Sequence, residues 1–240
     1  MTQEVRSAGA VPVTWDERRQ ELAGAGVPVS HRHCTFANFI AGPDLDVTTA
    51  MWDEANRLRS RVRQLWVGPA KRIEEAGPLP PLEPLAGPVA TFLWSHRPGE
   101  PVACGSGKTH LAVAYMRACG LPATRSDPDM RFVRETEMLL HFREAIASHS
   151  VEHELLRYAS PQLLVLDDFG RGKTARDSGW LQELLFELAA RREGKDNLVT
   201  SNYSPDQLAT SAPDLYLPLI SRLLAGQNRH VYRLTGPDRR

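Results

Sequence analysis

The hexapeptide CGSGKT at 104–109 constrains this chain more than any other segment. A strand pattern, VATFLW from Val89, stands ahead of it, and a helix pattern over 108–119 follows. A glycine-rich turn between strand and helix points backbone N–H groups outward, with the partial positive charge of the helix N-terminus behind them. Such a turn favours an anion, and Gly105 and Gly107 let phosphate oxygens approach the backbone of Ser106 closely. Lys108 is expected to reach the β- and γ-phosphates of a nucleotide, and the Thr109 hydroxyl to hold Mg²⁺. The strict pattern G-x-x-x-x-G-K-[ST] wants glycine at 102, where this chain has Val102. The stretch from His96 to Ser106 is also long for such a turn. Arg97–Ala103, with Pro98, Gly99 and Pro101, is expected to bulge out as an insertion, leaving GSGKT to grip phosphate. Cys104, beside the helix N-terminus, is a candidate for a thiol of lowered pKa.

A second signal sits downstream. The apolar run Leu163–Leu166 reads as a strand buried on both faces, and it ends in Asp167-Asp168. A carboxylate at a strand's C-terminal end is placed to meet a bound metal. Asp167 is expected to bind Mg²⁺ through water, and Asp168 to orient or deprotonate an attacking water. The two signals, in this order, imply a site for ATP or GTP.

The surrounding pattern gives the fold class. Strands at 89–94, 130–133, 163–168, 197–201 and 230–234 alternate with helices at 108–119, 136–146, 178–192 and about 215–225. That alternation predicts an α/β protein with a parallel, doubly wound sheet. On the helix over 136–146, Met138, Leu139, Phe142 and Ile146 share a face. Ahead of the sheet, Thr14 and Glu17 form a capping-box pattern before a short helix ending at Gly24 or Gly26. Phe36 and Phe39 offer apolar anchors. Residues 48–66 read as an amphipathic helix, with Met51, Ala55, Leu58, Val62 and Leu65 on one stripe. Its arginines 57, 59, 61 and 63 spread over the remaining, solvated faces. Five prolines within 78–88 suit a stiff connector. Three regions are expected: a tail and short helix over 1–25, a segment over 26–88 with the arginine-bearing helix and connector, and a core over 89–240.

Composition narrows the function classes. Lys and Arg total 29, as do Asp and Glu, so the 240-residue chain is not a globally basic nucleic-acid binder. No apolar run is long enough to span a bilayer. The first ten residues carry no apolar signal segment, and the three cysteines lack metal-ligand spacing. A cytoplasmic protein without a membrane partner is expected.

Several of these residues together resemble the AAA+ ATPases of the DnaC/IstB type, the helicase loaders and their transposon-encoded relatives. GKTHLAVA (107–114) is similar to that family's phosphate-loop helix, including the histidine after the threonine. LLVLDDFG (163–170) resembles its Walker B strand, TSN (200–202) its sensor 1, and SRL (221–223) its arginine-finger motif. GVP (26–28) and TFANF (35–39) look like its lead-in segment. The resemblance implies a P-loop AAA+ core with a five-stranded parallel sheet; as a departure, the six residues after the strand at 230–234 are expected to leave no room for a C-terminal lid domain. It implies ATP and Mg²⁺ as ligands, with His110 in the nucleotide-binding set. Asn202 would hydrogen-bond the attacking water or the γ-phosphate, and Arg222 would reach a neighbouring subunit's nucleotide. A homo-oligomer on single-stranded DNA follows, with a replicative helicase or a transposase as partner. DNA contacts would fall within 134–160, where Arg143 and Arg157 are candidates. The departures at 96–106, and an Asp in place of the longer Glu at 168, leave open an ATP-binding assembly module with negligible turnover.

Overall fold

The computed structural model describes residues 20, 22–67 (the backbone alone over 60–67), 86–95, 105–120, 129–171, 179–225 and 228–236. Val102, Cys104, the expected insertion at 97–103, the capping box at Thr14 and most of the proline connector lie outside them.

Five strands form one sheet: β1 (Val89–Ser95), β2 (Met130–Arg134), β3 (Leu163–Phe169), β4 (Asp196–Ser201) and β5 (Asn228–Leu234). All neighbours pair in parallel, in the order β2-β3-β4-β1-β5. The interior strands β1, β3 and β4 are buried almost throughout; β3 accordingly reads as an apolar run up to its two aspartates, whereas β4 buries Asp196, Asn197, Thr200 and Ser201 beside Leu198 and Val199. The edge strand β5 alternates half-buried with exposed residues and carries Arg229 and Arg233 on its open face.

Helices cover both faces of the sheet. In chain order they are α1 (Leu45–Val67), α2 (Lys108–Cys119), α3 (Glu135–Ala147), α4 (Val151–Ala159), α5 (Gly179–Arg191), α6 (Pro205–Ser211) and α7 (Pro213–Leu223). Because side chains alternate along a strand, Leu164 and Leu166 face an apolar layer with Phe142, Leu185 and Tyr216. Leu163 and Val165 face the opposite layer with Met51, Leu58, Leu111 and Met116.

Two helices were not expected. Helix α4 is a nine-residue element that follows a reversal at His149 (φ 56°) and buries Leu155, Tyr158 and Ala159. Helix α6 opens on a full capping box between Ser204 and Gln207, with Pro205 at its first position. The stripe expected on α3 shifts by one residue at its end: Ala145 is buried, whereas Ile146 is exposed.

The segment ahead of β1 takes part in the core. Met51, Ala55 and Leu58 of α1 are fully buried, and Leu22, Ala25, Val27 and Phe39 share their layer. Helix α1 is also moored by a buried carboxylate. Glu54 accepts hydrogen bonds from the hydroxyls of Thr91, Tyr115 (2.8 Å) and Tyr232 (3.1 Å). Burial pushes its carboxyl up from the ordinary glutamate value. Just before α1, Asp44 accepts from the Thr235 and Gly236 amides at 2.7 and 3.0 Å, fastening the exit of β5. On the other side of the sheet, the wholly buried Arg192 donates to Asn197 Oδ1 at 2.9 Å and to the carbonyls of Ala159, Pro161, Gln162 and Asp196. Burial lowers its guanidinium to about 9. Among the described residues no helix is long and apolar enough to cross a membrane.

Candidate nucleotide site

The C-terminal ends of β1, β3 and β4 meet the N-terminus of α2. Gly105 (φ 73°) and Gly107 (φ 91°) both take left-handed backbone, and Gly107 is the N-cap of α2. A side chain would strain that turn, so glycine here is a condition of the geometry. The first hydrogen bond of α2 runs from the Leu111 amide to the Gly107 carbonyl at 2.9 Å, which directs the first-turn amides into the cleft. Lys108 is buried, its Nζ donating to Ser95 Oγ at 2.5 Å and Ser106 Oγ at 3.2 Å. Ser95 is the last residue of β1, so the strand end holds the amine beside the glycine turn.

At the end of β3, Asp167 is buried and Asp168 partly open. The Thr109 hydroxyl lies 3.1 Å from both Asp167 oxygens. Thr200 Oγ1 donates to Asp167 Oδ1 at 2.6 Å and accepts the Asp168 N–H at 3.0 Å. Burial pushes the Asp167 carboxyl up, and the Thr200 hydrogen bond opposes that rise. The ladder between β3 and β4 slips here: Leu166 pairs with Val199, but Phe169 pairs with Ser201. The slip puts Asp168 at φ 57°, a left-handed conformation that costs a non-glycine residue about 1–3 kcal/mol. Its carboxylate meets Arg171 Nη1 at 3.2 Å. Between them, Gly170 (φ 92°) donates its N–H to Glu135 Oε2 at 3.0 Å. The φ of 92° strains any L side chain at Gly170, and a Cβ there would also meet Leu208 Cδ2 at 2.3 Å, so the turn favours glycine.

The lead-in segment supplies the facing wall. Ser30, His31, His33, Cys34, Asn38 and Phe39 line one cleft of about 350 Å³ together with residues 105–110, Asp168, Arg171 and Asn202. His110 Nε2 lies 2.9 Å from both the Thr35 carbonyl and Asn38 Oδ1, and its ring packs against Phe39 at 5.2 Å. The wall is anchored below by the Phe132 amide, which donates to the Ala25 carbonyl at 2.7 Å. Burial lowers the His31 imidazole, with the Arg134 charge acting in the same direction.

The fold thus gathers Gly105, Ser106, Gly107, Lys108, Thr109, His110, Asp168 and Asn202 around one cleft, with Asp167 behind Thr109. His110 lines it while holding the lead-in segment to α2. Arg222 does not join them; it is exposed in the last turn of α7. Of the two arginines considered for DNA, Arg143 is exposed on α3. Arg157 instead pairs with Glu154 at 3.2 Å and lies over the Tyr158 ring. Ser95, Thr200, Arg171 and Glu135 were not picked out from sequence. Thr200 stands in the TSN triplet and Arg171 directly after LLVLDDFG, so both lay next to a visible signal. Ser95 and Glu135 carry none.

The donor set suits a nucleoside triphosphate: a glycine turn at a helix N-terminus, a lysine amine, and a hydroxyl beside a carboxylate for a hard cation. Residues 102–224 match the family described as IstB-like ATP binding protein. A protein of Mycobacterium tuberculosis (strain H37Rv), named for ATP binding and for its place in an insertion sequence, is 32% identical over 139 residues. The match covers 57% of this chain and 52% of that protein, so the chain spans about half the length of its curated relative. The solved structure of the DnaC helicase loader matches with a TM-score of 0.51 and 19% identity, over 87% of this chain and 100% of that one. The replication initiator DnaA bound to AMPPCP and single-stranded DNA gives 0.52 and 17%, over 88% and 51%. At these identities the likeness is one of fold: a five-stranded parallel sheet flanked by helices, as in P-loop AAA+ proteins of the DnaC and DnaA kind.

Proposed function

The chain belongs to the family of IstB-like ATP-binding proteins, and from that premise we propose that it is a cytoplasmic AAA+ ATPase that assembles on single-stranded DNA and serves a DNA-acting partner. The observation that carries the hydrolytic reading is the convergence of Thr109, Asp167 and Thr200 within hydrogen-bond distance beside Lys108 and Asp168. Lys108 and the amides of 105–109 bind the phosphates. Thr109 and Asp167 would hold Mg²⁺, which would supply charge neutralisation on the phosphate oxygens. Asp168 orients the attacking water and accepts its proton, and Asn202 fixes that water or the γ-phosphate. Arg222, which is exposed and does not line its own cleft, serves the site of the next subunit.

The partner divides two forms of this reading. The relative in an insertion sequence supports a transposase, and the fold shared with the DnaC loader supports a replicative helicase. The experiment is steady-state ATP hydrolysis against protein concentration, with and without single-stranded DNA, and then with transposase or helicase added. A specific rate rising with concentration and DNA is expected, and Lys108→Ala should abolish nucleotide binding. A constant, DNA-indifferent rate per subunit would overturn the assembly. Binding without turnover would leave a nucleotide-held assembly module.

A further inference from the structure

Asp168, the residue read as the base, already has a cationic partner in the cleft: its Oδ2 lies 3.2 Å from Arg171 Nη1. Both side chains line the cleft that contains the glycine turn at 105–107. The backbone on each side of the pair is fixed. Thr200 holds the Asp168 amide, Glu135 holds the Gly170 amide, and Leu208 fills the space over Gly170. The part with freedom to move is therefore the Arg171 side chain. At 48% and 32% exposure, the two partners are screened by water, and such pairs are weakly held. A guanidinium binds phosphate oxygens in a bidentate, charge-assisted manner, and more strongly than a single hydrogen bond to carboxylate. Lys108, by contrast, is already tethered between Ser95 and Ser106.

We propose that Arg171 is a positioning residue that exchanges partners: it pairs with Asp168 in the structure and moves to the terminal phosphate of a bound nucleoside triphosphate, releasing the Asp168 carboxylate to the attacking water. The inference rests on the ATP-site reading above. Two properties follow. The cleft favours a triphosphate over a diphosphate, and Asp168 stays paired when the terminal phosphate is missing.

The test is equilibrium binding of the non-hydrolysable triphosphate AMPPCP and of ADP, by displacement of a fluorescent nucleotide from the full chain. Arg171→Ala should weaken AMPPCP about tenfold while leaving ADP unchanged, and Arg171→Lys should restore part of the loss. Asp168→Asn, which keeps a residue tolerant of left-handed backbone, should bind AMPPCP up to about threefold more tightly by freeing Arg171. That gain should vanish in the double variant. Equal weakening of both nucleotides by Arg171→Ala, or none, would overturn the exchange while Lys108→Ala still abolished binding. Wild-type protein that bound neither nucleotide would remove the ATP site itself, and the exchange with it.

Discussion

Thr200 joins two carboxylate positions through one hydroxyl, giving its proton to Asp167 and accepting the amide of Asp168. Thr200→Val keeps the shape and deletes both bonds, leaving the buried Asp167 carboxylate with the Thr109 hydroxyl alone and the Asp168 N–H without this acceptor. A stability loss of about 1–3 kcal/mol is expected, with hydrolysis falling at least about tenfold; Thr200→Ser should retain both. Denaturant midpoints and single-turnover rates check this. The phosphate-loop residues were legible because glycines and a Lys-Thr pair before a helix are local requirements. Thr200 was not, because its partners lie across the slipped ladder between β3 and β4, 33 residues apart in sequence at the Thr200–Asp167 bond; Arg171 was not, because it meets Asp168 three residues back through the left-handed turn at that slip. His110 was read as a nucleotide contact on family pattern. Its bonds to Thr35 and Asn38 bring together segments that periodicity alone cannot pair.

Among the elements, α1 shows how much a buried charge can decide. Glu54 stands on the same stripe as Met51, Ala55 and Leu58, so an acid on an apolar face was visible in the sequence; its hydroxyl partners on β1, α2 and β5 were not. Its folded carboxyl titrates above the ordinary glutamate range because it is buried. The native state therefore binds more protons than the unfolded chain once pH passes the unfolded value. The contribution of Glu54 to stability is full below that value and is lost as pH rises through the folded one. The difference in unfolding free energy between wild type and Glu54→Gln should accordingly drift against the wild type from pH 4 towards pH 8. A difference independent of pH would contradict it. The long helices and interior strands were legible from period and apolar runs. Helices α4 and α6 were missed because they are short, although Ser204 and Gln207 carried the capping signal.

At the scale of the whole molecule, the assembly proposed above would have Arg222, exposed on α7, complete the cleft of a neighbouring subunit. Arg222→Ala should lower turnover by roughly 10³ or more while nucleotide still binds. Mixing it with Lys108→Ala protein should recover part of the rate, since each supplies what the other lacks. A titration of mixing ratios that shows no recovery would sink the shared site.

The strand order has a further consequence. β1 lies between β4 and β5 and is closed over by α1, yet β1, β5 and α1 all fall outside the 102–224 stretch that matches the family. A gene fragment limited to that stretch would carry the phosphate loop without the strand whose last serine tethers Lys108. Recombination or domain grafting at those limits would therefore transfer a motif but not a folding unit, and a viable graft must carry both flanks.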